Sequence, residues 1–152
     1  METVQSILAA KGNDVVSVGT ETTVVQALEL MAEKNIGAIM VLDASGEPVG
    51  IFSERDFARK IILKGRDCDH TKVKEIMTSK IIYAENKTSI AECMSLMTTH
   101  HFRHLPVKEK GKLIGVVSIG DVVKALIQHQ ERVISEQAFE IGQHERRSPG
   151  AV

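Results

Sequence analysis

Two segments of this chain carry apolar side chains at the i, i+3, i+4, i+7 spacing of an amphipathic helix. The apolar positions are Val24, Ala27, Leu28 and Met31 in the first segment, and Ile90, Cys93, Met94 and Met97 in the second. Each segment begins with a hydroxyl residue followed three positions later by Gln or Glu, a pattern in which the two side chains cap the first turn. The pairs are Thr23 with Gln26, and Ser89 with Glu92. We therefore predict two helices that begin alike.

Each predicted helix is followed by two short apolar segments separated by a turn, which together predict a β-hairpin. The segments are residues 38–43 and 49–53 in the first half, and 104–109 and 113–118 in the second. A short strand is predicted before each helix, at 15–18 and 81–84, and a second helix after each hairpin, at Phe57, Ile61 and Ile62 and at Val122, Val123, Leu126 and Ile127. Each unit is therefore strand-helix-strand-strand-helix.

The two units form an internal repeat, and each is preceded by a further short helix in which Val4, Ile7 and Leu8 match Val73, Ile76 and Met77. A unit of about 60 residues is marginal alone, so we expect the two to pack together as one α/β (α+β) body. We assign the first repeat to residues 1–63, a polar linker to 64–72, the second repeat to 73–130, and a helical extension and flexible tail to 131–152. Within this last segment we expect helix through Ile141 and disorder over 142–152.

Charge and composition argue against several classes of binding partner. The 19 basic and 20 acidic residues give a formal net charge of −1, and the chain has no Trp, so a nucleic-acid partner is not expected. The apolar runs are too short to span a bilayer, so no membrane partner is expected either. Cys68 and Cys93 have no metal-ligand spacing, and the clustered histidines match no zinc pattern. We predict a cytoplasmic protein without a metal.

Both units contain the same strand-to-helix corner, GIFSERD at 50–56 and GVVSIGD at 115–121. A serine at this point lies beside unpaired backbone N–H groups at a helix N-terminus, where a phosphate is favoured. The aspartate three residues later can accept both hydroxyls of a ribose. The candidates are Ser53 with Asp56 and Ser118 with Asp121. The alternative is that each pair only caps its own helix.

The corresponding positions also differ between the repeats. Arg103 and His104 stand where the first unit has Gly37 and Ala38, and Arg55 stands where the second has Gly120. Guanidinium and imidazole groups at a strand start can contact a phosphate. We therefore expect two clefts of unequal charge. The alternative is that Arg103 and His104 make surface or dimer contacts.

The repeated unit, with TTVVQALELM and TSIAECMSLM, the RHLPV strand and the two corners, resembles a tandem pair of cystathionine-β-synthase-type (CBS) domains, often called a Bateman module. The resemblance covers about residues 3–130. It implies two repeats packed about a pseudo-twofold axis, with two clefts between them for adenosine ligands. The implied ligands are AMP, ADP, ATP or NAD, with S-adenosylmethionine less expected. It also implies a disc-shaped homodimer.

The same resemblance assigns the adenine to the leading strands, at Val16 and Val18 and at Ile82 and Ala84, although a core role for these residues is equally consistent with the sequence. The chain has neither a G-x-x-x-x-G-K-S/T loop nor a G-x-G-x-x-G turn, so nucleotide hydrolysis and hydride transfer are not predicted. We predict a regulatory module, not an enzyme, that binds an adenosine nucleotide and signals to an unidentified effector protein. The alternative is a dimerising scaffold without a ligand.

Overall fold

The computed structural model describes residues 2–147, with side chains described through residue 142. The helices are α1 (Val4–Lys11), α2 (Val24–Lys34), α3 (Glu54–Asp56), the π-helical segment Phe57–Ile62 that continues α3, α4 (Val73–Ile76), α5 (Ile90–His100) and α6 (Ile119–Arg147). The strands are β1 (Ser17–Gly19), β2 (Ala38–Leu42), β3 (Pro48–Ser53), β4 (His104–Glu109) and β5 (Lys112–Ser118). In the described residues, no helix has the length and apolar character needed to cross a bilayer.

The first repeat contains a sheet in the order β1-β2-β3, with β1 parallel and β3 antiparallel to β2. In the second repeat β4 and β5 form an antiparallel pair. The predicted strand at 81–84 is wrong in extent, because it is reduced to one parallel bridge between Ala84 and Val107. In the first repeat the Met40 N–H donates to the Val16 carbonyl at 3.3 Å. Pro106 occupies the position of Met40 and has no N–H, so the pairing ends before Ile82.

The leading helices are exchanged between the repeats. Val4 and Leu8 of α1 are buried in the hydrophobic core of the second repeat, whereas Val73 and Ile76 of α4 are buried in that of the first. Gly115 lies directly beneath α1, since a Cβ placed on it would lie 2.7 Å from Leu8 Cδ2. The two repeats are therefore interlocked, because the helix that precedes each repeat in the sequence completes the core of the other repeat.

The predicted helix starts are confirmed. Gln26 N donates to Thr23 Oγ1 at 3.3 Å, and Thr23 N donates to Gln26 Oε1 at 3.1 Å. At the start of α5, Glu92 N donates to Ser89 Oγ at 3.1 Å, but the predicted return bond to the Glu92 side chain is not among the described hydrogen bonds. These caps satisfy backbone N–H groups that have no partner within the helix.

The second helices differ from the expectation in three respects. After Asp56 the first becomes π-helical, and Leu63 N donates to the Ala58 carbonyl at 3.1 Å, five residues back. The apolar positions of these helices are only partly covered, because Ile62 is 61% and Ile127 is 49% exposed. Helix α6 continues through Arg147, so residues 142–147 are helical and not disordered; residues 148–152 lie outside the described part of the chain.

Candidate functional site

A cleft of about 300 Å³ lies between the two repeats and is enclosed by residues from both. The first repeat contributes the segment from the C-terminus of α2 into β2, together with Val16 and Ile51; the second contributes part of β5 and the start of α6. The lining residues are Lys11, Asp14, Val16, Asn35, Ile36, Gly37, Ala38, Ile39, Met40, Ile51, His104, Val116, Ser118 and Asp121. Of the predicted site residues, the cleft therefore brings together Val16, His104, Ser118 and Asp121.

The Asp121 carboxylate caps α6 and also faces this cleft. Asp121 N donates to Ser118 Oγ at 3.1 Å, and Ser118 N donates to Asp121 Oδ2 at 2.9 Å. Lys11 Nζ donates to the same Oδ2 at 2.7 Å. The bonds described for this carboxylate all end on Oδ2, and its side chain is 25% exposed. Asp121 therefore has the predicted capping role while Oδ1 remains available to a ligand.

The charge state of Asp121 is set by opposing effects. Burial raises the pKa of the carboxyl group, but the Lys11 ammonium and the Ser118 N–H and hydroxyl together outweigh it, and the net effect is a lowered pKa. The carboxylate is therefore ionised at neutral pH and can accept hydroxyl donors.

His104 forms another wall of the cleft. It begins β4 and pairs with Ser118 of β5, and its ring lies against Gly37 of the first repeat. Burial lowers the pKa of the imidazole, and the Lys11 charge lowers it further. His104 is therefore neutral near pH 7, which leaves Lys11 as the only cationic side chain among the described residues that line the cleft.

Sequence reasoning missed four polar or conformationally special residues of the cleft, which are Lys11, Asp14, Asn35 and Gly37. Asn35 ends α2 in the left-handed conformation, with φ 54°, and turns the chain toward β2. Gly37 follows, and its carbonyl accepts from Glu54 N at 3.1 Å. An asparagine directly after a predicted helix is a recognisable sequence signal for a left-handed C-cap, and it could have identified Asn35. The position of Lys11 depends on the exchange of the leading helices.

The equivalent corner at Asp56 is closed. Asp56 is 8% exposed, and its Oδ2 accepts from Ser53 N at 3.0 Å and from Ser53 Oγ at 3.2 Å. Its Oδ1 accepts from Thr78 Oγ1 at 3.1 Å and lies 3.0 Å from Lys60 Nζ. Both carboxylate oxygens thus have partners within the chain, and this corner has the arrangement of a structural cap.

The two predicted arginines lie outside the described cleft lining. Arg55 is exposed and its guanidinium donates to the carbonyl of His101, which ends α5 in the left-handed conformation. Arg103 is also exposed, and its carbonyl accepts from Ile119 N at 2.8 Å, at the start of α6. Arg55 therefore links the first repeat to the second, and Arg103 positions the helix that carries Asp121.

The remaining leading-strand residues lie in the two cores. Val18 pairs with Val41 in the first sheet and packs on the first core. Ile82 packs on the second core, and Ala84 is 2% exposed within it. Among the described residues, no group of three or more His, Cys, Asp or Glu side chains has an arrangement that could hold a metal ion.

Comparisons with known proteins agree with this architecture. A protein named CBS domain-containing protein CBSX3, mitochondrial, from Arabidopsis thaliana is 42% identical over 126 residues, which is 79% of this chain and 61% of that protein, so the match spans less than two thirds of the relative. A CBS-domain structure from Burkholderia ambifaria is 48% identical, with a TM-score of 0.82, and the alignment covers 85% of this chain and 96% of that one.

A third relative carries a ligand. The CBS domain protein PAE2072 from Pyrobaculum aerophilum, solved in complex with AMP, is 25% identical with a TM-score of 0.70, and the alignment covers 79% of this chain and 89% of that one. The family profile described as CBS domain matches residues 8–63 and 73–128. The repeated corner, the interlocked repeats and these matches together establish that the chain belongs to the CBS domain family, as a tandem pair of such domains.

Proposed function

We propose that this protein is a regulatory module that binds an adenosine nucleotide, AMP, ADP, ATP or NAD, in the cleft beside Asp121. The observation that carries the proposal is that this cleft joins an apolar strand surface of one repeat to the polar helix start of the other. A site with apolar walls and a few convergent polar groups is typical of small-molecule binding. Its volume of about 300 Å³ is sufficient for the adenosine part that these ligands share.

The polar and apolar groups of the cleft match the parts of an adenosine nucleotide. Val16, Met40 and Ile51 supply an apolar slot for the base. Asp121 has an ionised carboxylate with Oδ1 available, and a charged acceptor is well suited to the ribose hydroxyls. The AMP complex of the relative from Pyrobaculum aerophilum supports the same class of ligand.

We place the ligand at Asp121 and assign Asp56 a structural role. The Asp56 oxygens already have four polar neighbours, so a ribose would have to displace bonds to Ser53, to Thr78 after α4 and to Lys60. Removing such partners from a buried carboxylate is costly. One nucleotide per chain is therefore the proposed stoichiometry.

The regulatory part of the proposal follows from the position of the cleft. Its walls come from both repeats, so a ligand that contacts both favours one relative arrangement of the repeats over others. A surface that depends on this arrangement would then transmit occupancy to an effector protein. The proposed role is thus binding and signalling without catalysis. Both cysteines are free thiols, which suits a reducing compartment such as the cytoplasm.

A second candidate function, a dimerising scaffold, is favoured by a separate observation. Helix α6 carries an open apolar face on which Val123 and Ile127 are 40% and 49% exposed. Exposed apolar side chains on such a face suit association with a second copy of the chain. We propose a homodimer formed through this face, whether or not the cleft holds a ligand.

Thermal-shift assays and isothermal titration calorimetry with AMP, ADP, ATP, NAD and S-adenosylmethionine test the nucleotide proposal. A ligand at 100 times its Kd adds about 2.7 kcal/mol to the free energy of unfolding, a rise of several degrees in Tm. Asp121→Asn should abolish this rise. Asp56→Asn is the matched control, and it should lower the Tm of the free protein while keeping the ligand-induced rise. If no nucleotide raises the Tm of the wild type, the nucleotide proposal is wrong and the dimerising scaffold is the function that remains.

A further inference from the structure

Lys11 and Thr78 have equivalent positions at the two corners. Each donates one hydrogen bond to a carbonyl of the strand and one to the aspartate, Lys11 at Asp121 and Thr78 at Asp56. Ile51 and Val116 lie at equivalent positions, each two residues before the serine of its corner. The Ile51 carbonyl accepts from Thr78 N at 2.9 Å, and Asp56 Oδ1 accepts from Thr78 Oγ1 at 3.1 Å. In the second repeat the Val116 carbonyl accepts from Lys11 Nζ at 2.9 Å, and Asp121 Oδ2 accepts from the same ammonium at 2.7 Å.

This difference follows from the lengths of the leading helices. Helix α4 ends at Ile76, so Thr78 is extended and pairs with Ile51 of β3. The backbone N–H of each of these two residues donates to the carbonyl of the other. Helix α1 continues to Lys11, and a side chain instead of the backbone approaches β5. Thr78 is fixed by two backbone bonds of 2.9 Å. The Lys11 side chain is 39% exposed on a flexible four-carbon stem, so its ammonium can move without unfolding any strand.

We propose that Lys11 is the specificity-determining residue of the cleft and makes it select phosphorylated adenosine compounds over adenosine itself. In the free protein the ammonium neutralises Asp121. When ribose hydroxyls donate to Asp121, the ammonium turns from Oδ2 to the phosphate of the same ligand. This proposal rests on the proposed function, because it assumes that an adenosine compound occupies this cleft.

The charges around the cleft support this assignment. Asp14 and Asp121 are the acidic residues among the described lining, and Lys11 is the one cation beside them. Asp14 is exposed, so solvent weakens its effect on a bound phosphate. Without the Lys11 ammonium, a phosphate would meet only acidic and neutral side chains. An uncharged nucleoside would lose no such contact.

Calorimetric titration of AMP and adenosine into the wild type, Lys11→Met and Lys11→Arg tests the proposal. Met keeps much of the length of the side chain and removes the charge, whereas Arg keeps the charge. We expect Lys11→Met to weaken AMP binding about ten- to a hundredfold, the loss expected for one charge-assisted bond. The same variant should bind adenosine as well as the wild type or more tightly, because Asp121 is then free. Lys11→Arg should keep the preference for AMP. Lys60→Met, at the closed corner, is the matched control and should leave the ratio of the two Kd values unchanged.

The outcomes separate the two proposals. If the wild type binds both compounds and Lys11→Met weakens them equally, or weakens neither, the role of Lys11 is wrong and the nucleotide site stands. If the wild type prefers AMP and Lys11→Met keeps that preference, another group holds the phosphate and the assignment is again wrong. A wild type that binds neither compound overturns both proposals. Circular dichroism of each variant checks that it is folded.

Discussion

The His104 ring of the second repeat lies against the backbone of Gly37 in the first, so that a Cβ placed on Gly37 would be 3.3 Å from His104 Cε1. The same Cβ would lie 3.3 Å from Glu54 Oε1. A Cβ at this position would therefore require one of these side chains to shift by a few tenths of an ångström, and the contact with His104 joins the two repeats at the edge of the cleft.

Gly37→Val should therefore damage the cleft more than the fold. A β-branched side chain suits the start of a strand, but its methyl groups would push the His104 ring into the space of the proposed nucleotide. We expect AMP affinity to fall at least about tenfold, since the displaced ring would occupy part of the space that the ligand needs. Titration calorimetry with AMP measures this, and the denaturant midpoint checks stability. Unchanged affinity would show that the ligand does not lie beside Gly37.

Gly115→Ala should destabilise the protein through the packing of α1. The added methyl would lie 2.7 Å from Cδ2 of the buried Leu8 side chain, so this side chain must shift within a packed core. Overpacking of this kind costs about 1–3 kcal/mol of unfolding free energy. Urea denaturation of the variant measures the loss. Gly120→Ala is the control, because its Cβ would meet Ser118 Oγ at an ordinary 3.6 Å. Equal effects of the two variants would contradict the close contact between α1 and β5.

Local patterns were sufficient to predict most of the fold. Helix α2, with its Thr23 and Gln26 cap, and strand β4 at His104–Glu109 follow from periodicity and turn chemistry alone. The strand expected at 81–84 failed for a reason outside its own sequence. Its apolar residues are suitable, but the neighbouring strand presents Pro106, which lacks the N–H that Met40 provides in the first repeat. Strand pairing depends on both strands, so the apolar pattern of one strand cannot predict whether its neighbour provides the necessary N–H groups.

The candidate site was less predictable because its distinguishing contact is long-range. Ser118 and Asp121 lie three residues apart, so their corner is visible in the sequence. Lys11 and Asp121 are 110 positions apart and meet only because α1 packs on the second repeat. The asymmetry between the corners likewise depends on the exchange of α1 and α4. Arg55 was predicted from its place in the strand-to-helix corner, and Arg103 from its place at a strand start. Neither side chain lies in the described cleft lining, so local position alone did not identify a site residue.

His104 should make the stability of the protein depend on pH. Burial lowers its pKa below the value of 6.5 expected in the unfolded chain, and the charges of Lys11 and Arg103 add to this, while Asp121 opposes it. The unfolded chain therefore binds more protons between the two pKa values. The free energy of unfolding should fall as the pH is lowered through 6.5 and level off below the pKa of the folded state.

Urea denaturation at several pH values, compared between the wild type and His104→Gln, measures this contribution. The variant should lose the His104 part of the slope. His70 acts in the opposite direction, because Asp67 raises its pKa, and it is present in both proteins and cancels from the difference. The lowered pKa of Asp121 acts only below its ordinary value of 3.8 and lies outside this range. Identical slopes in the two proteins would mean that His104 is solvated in the folded state.

Self-association through α6 gives a final prediction, in which Ile127 occupies the centre of the interface. Its side chain is 49% exposed on a face of α6 that also contains Lys124 and Glu131, on either side of it along the helix. If two α6 helices cross antiparallel about a twofold axis at Ile127, Lys124 of each copy approaches Glu131 of the other. The face is then complementary to itself in both apolar character and charge.

Ile127→Glu should therefore convert the protein to a monomer, because it places two carboxylates together at the axis and removes the central apolar contact. Light scattering coupled to size-exclusion chromatography gives the mass directly. Ala44→Glu, the control, adds the same charge at an exposed residue of the turn between β2 and β3. This variant should have the same oligomeric mass as the wild type. A monomeric wild type, or a dimer that survives Ile127→Glu, would show that this face of α6 does not join two copies. Because the cleft is formed within one chain, the monomeric variant should still bind one nucleotide per chain.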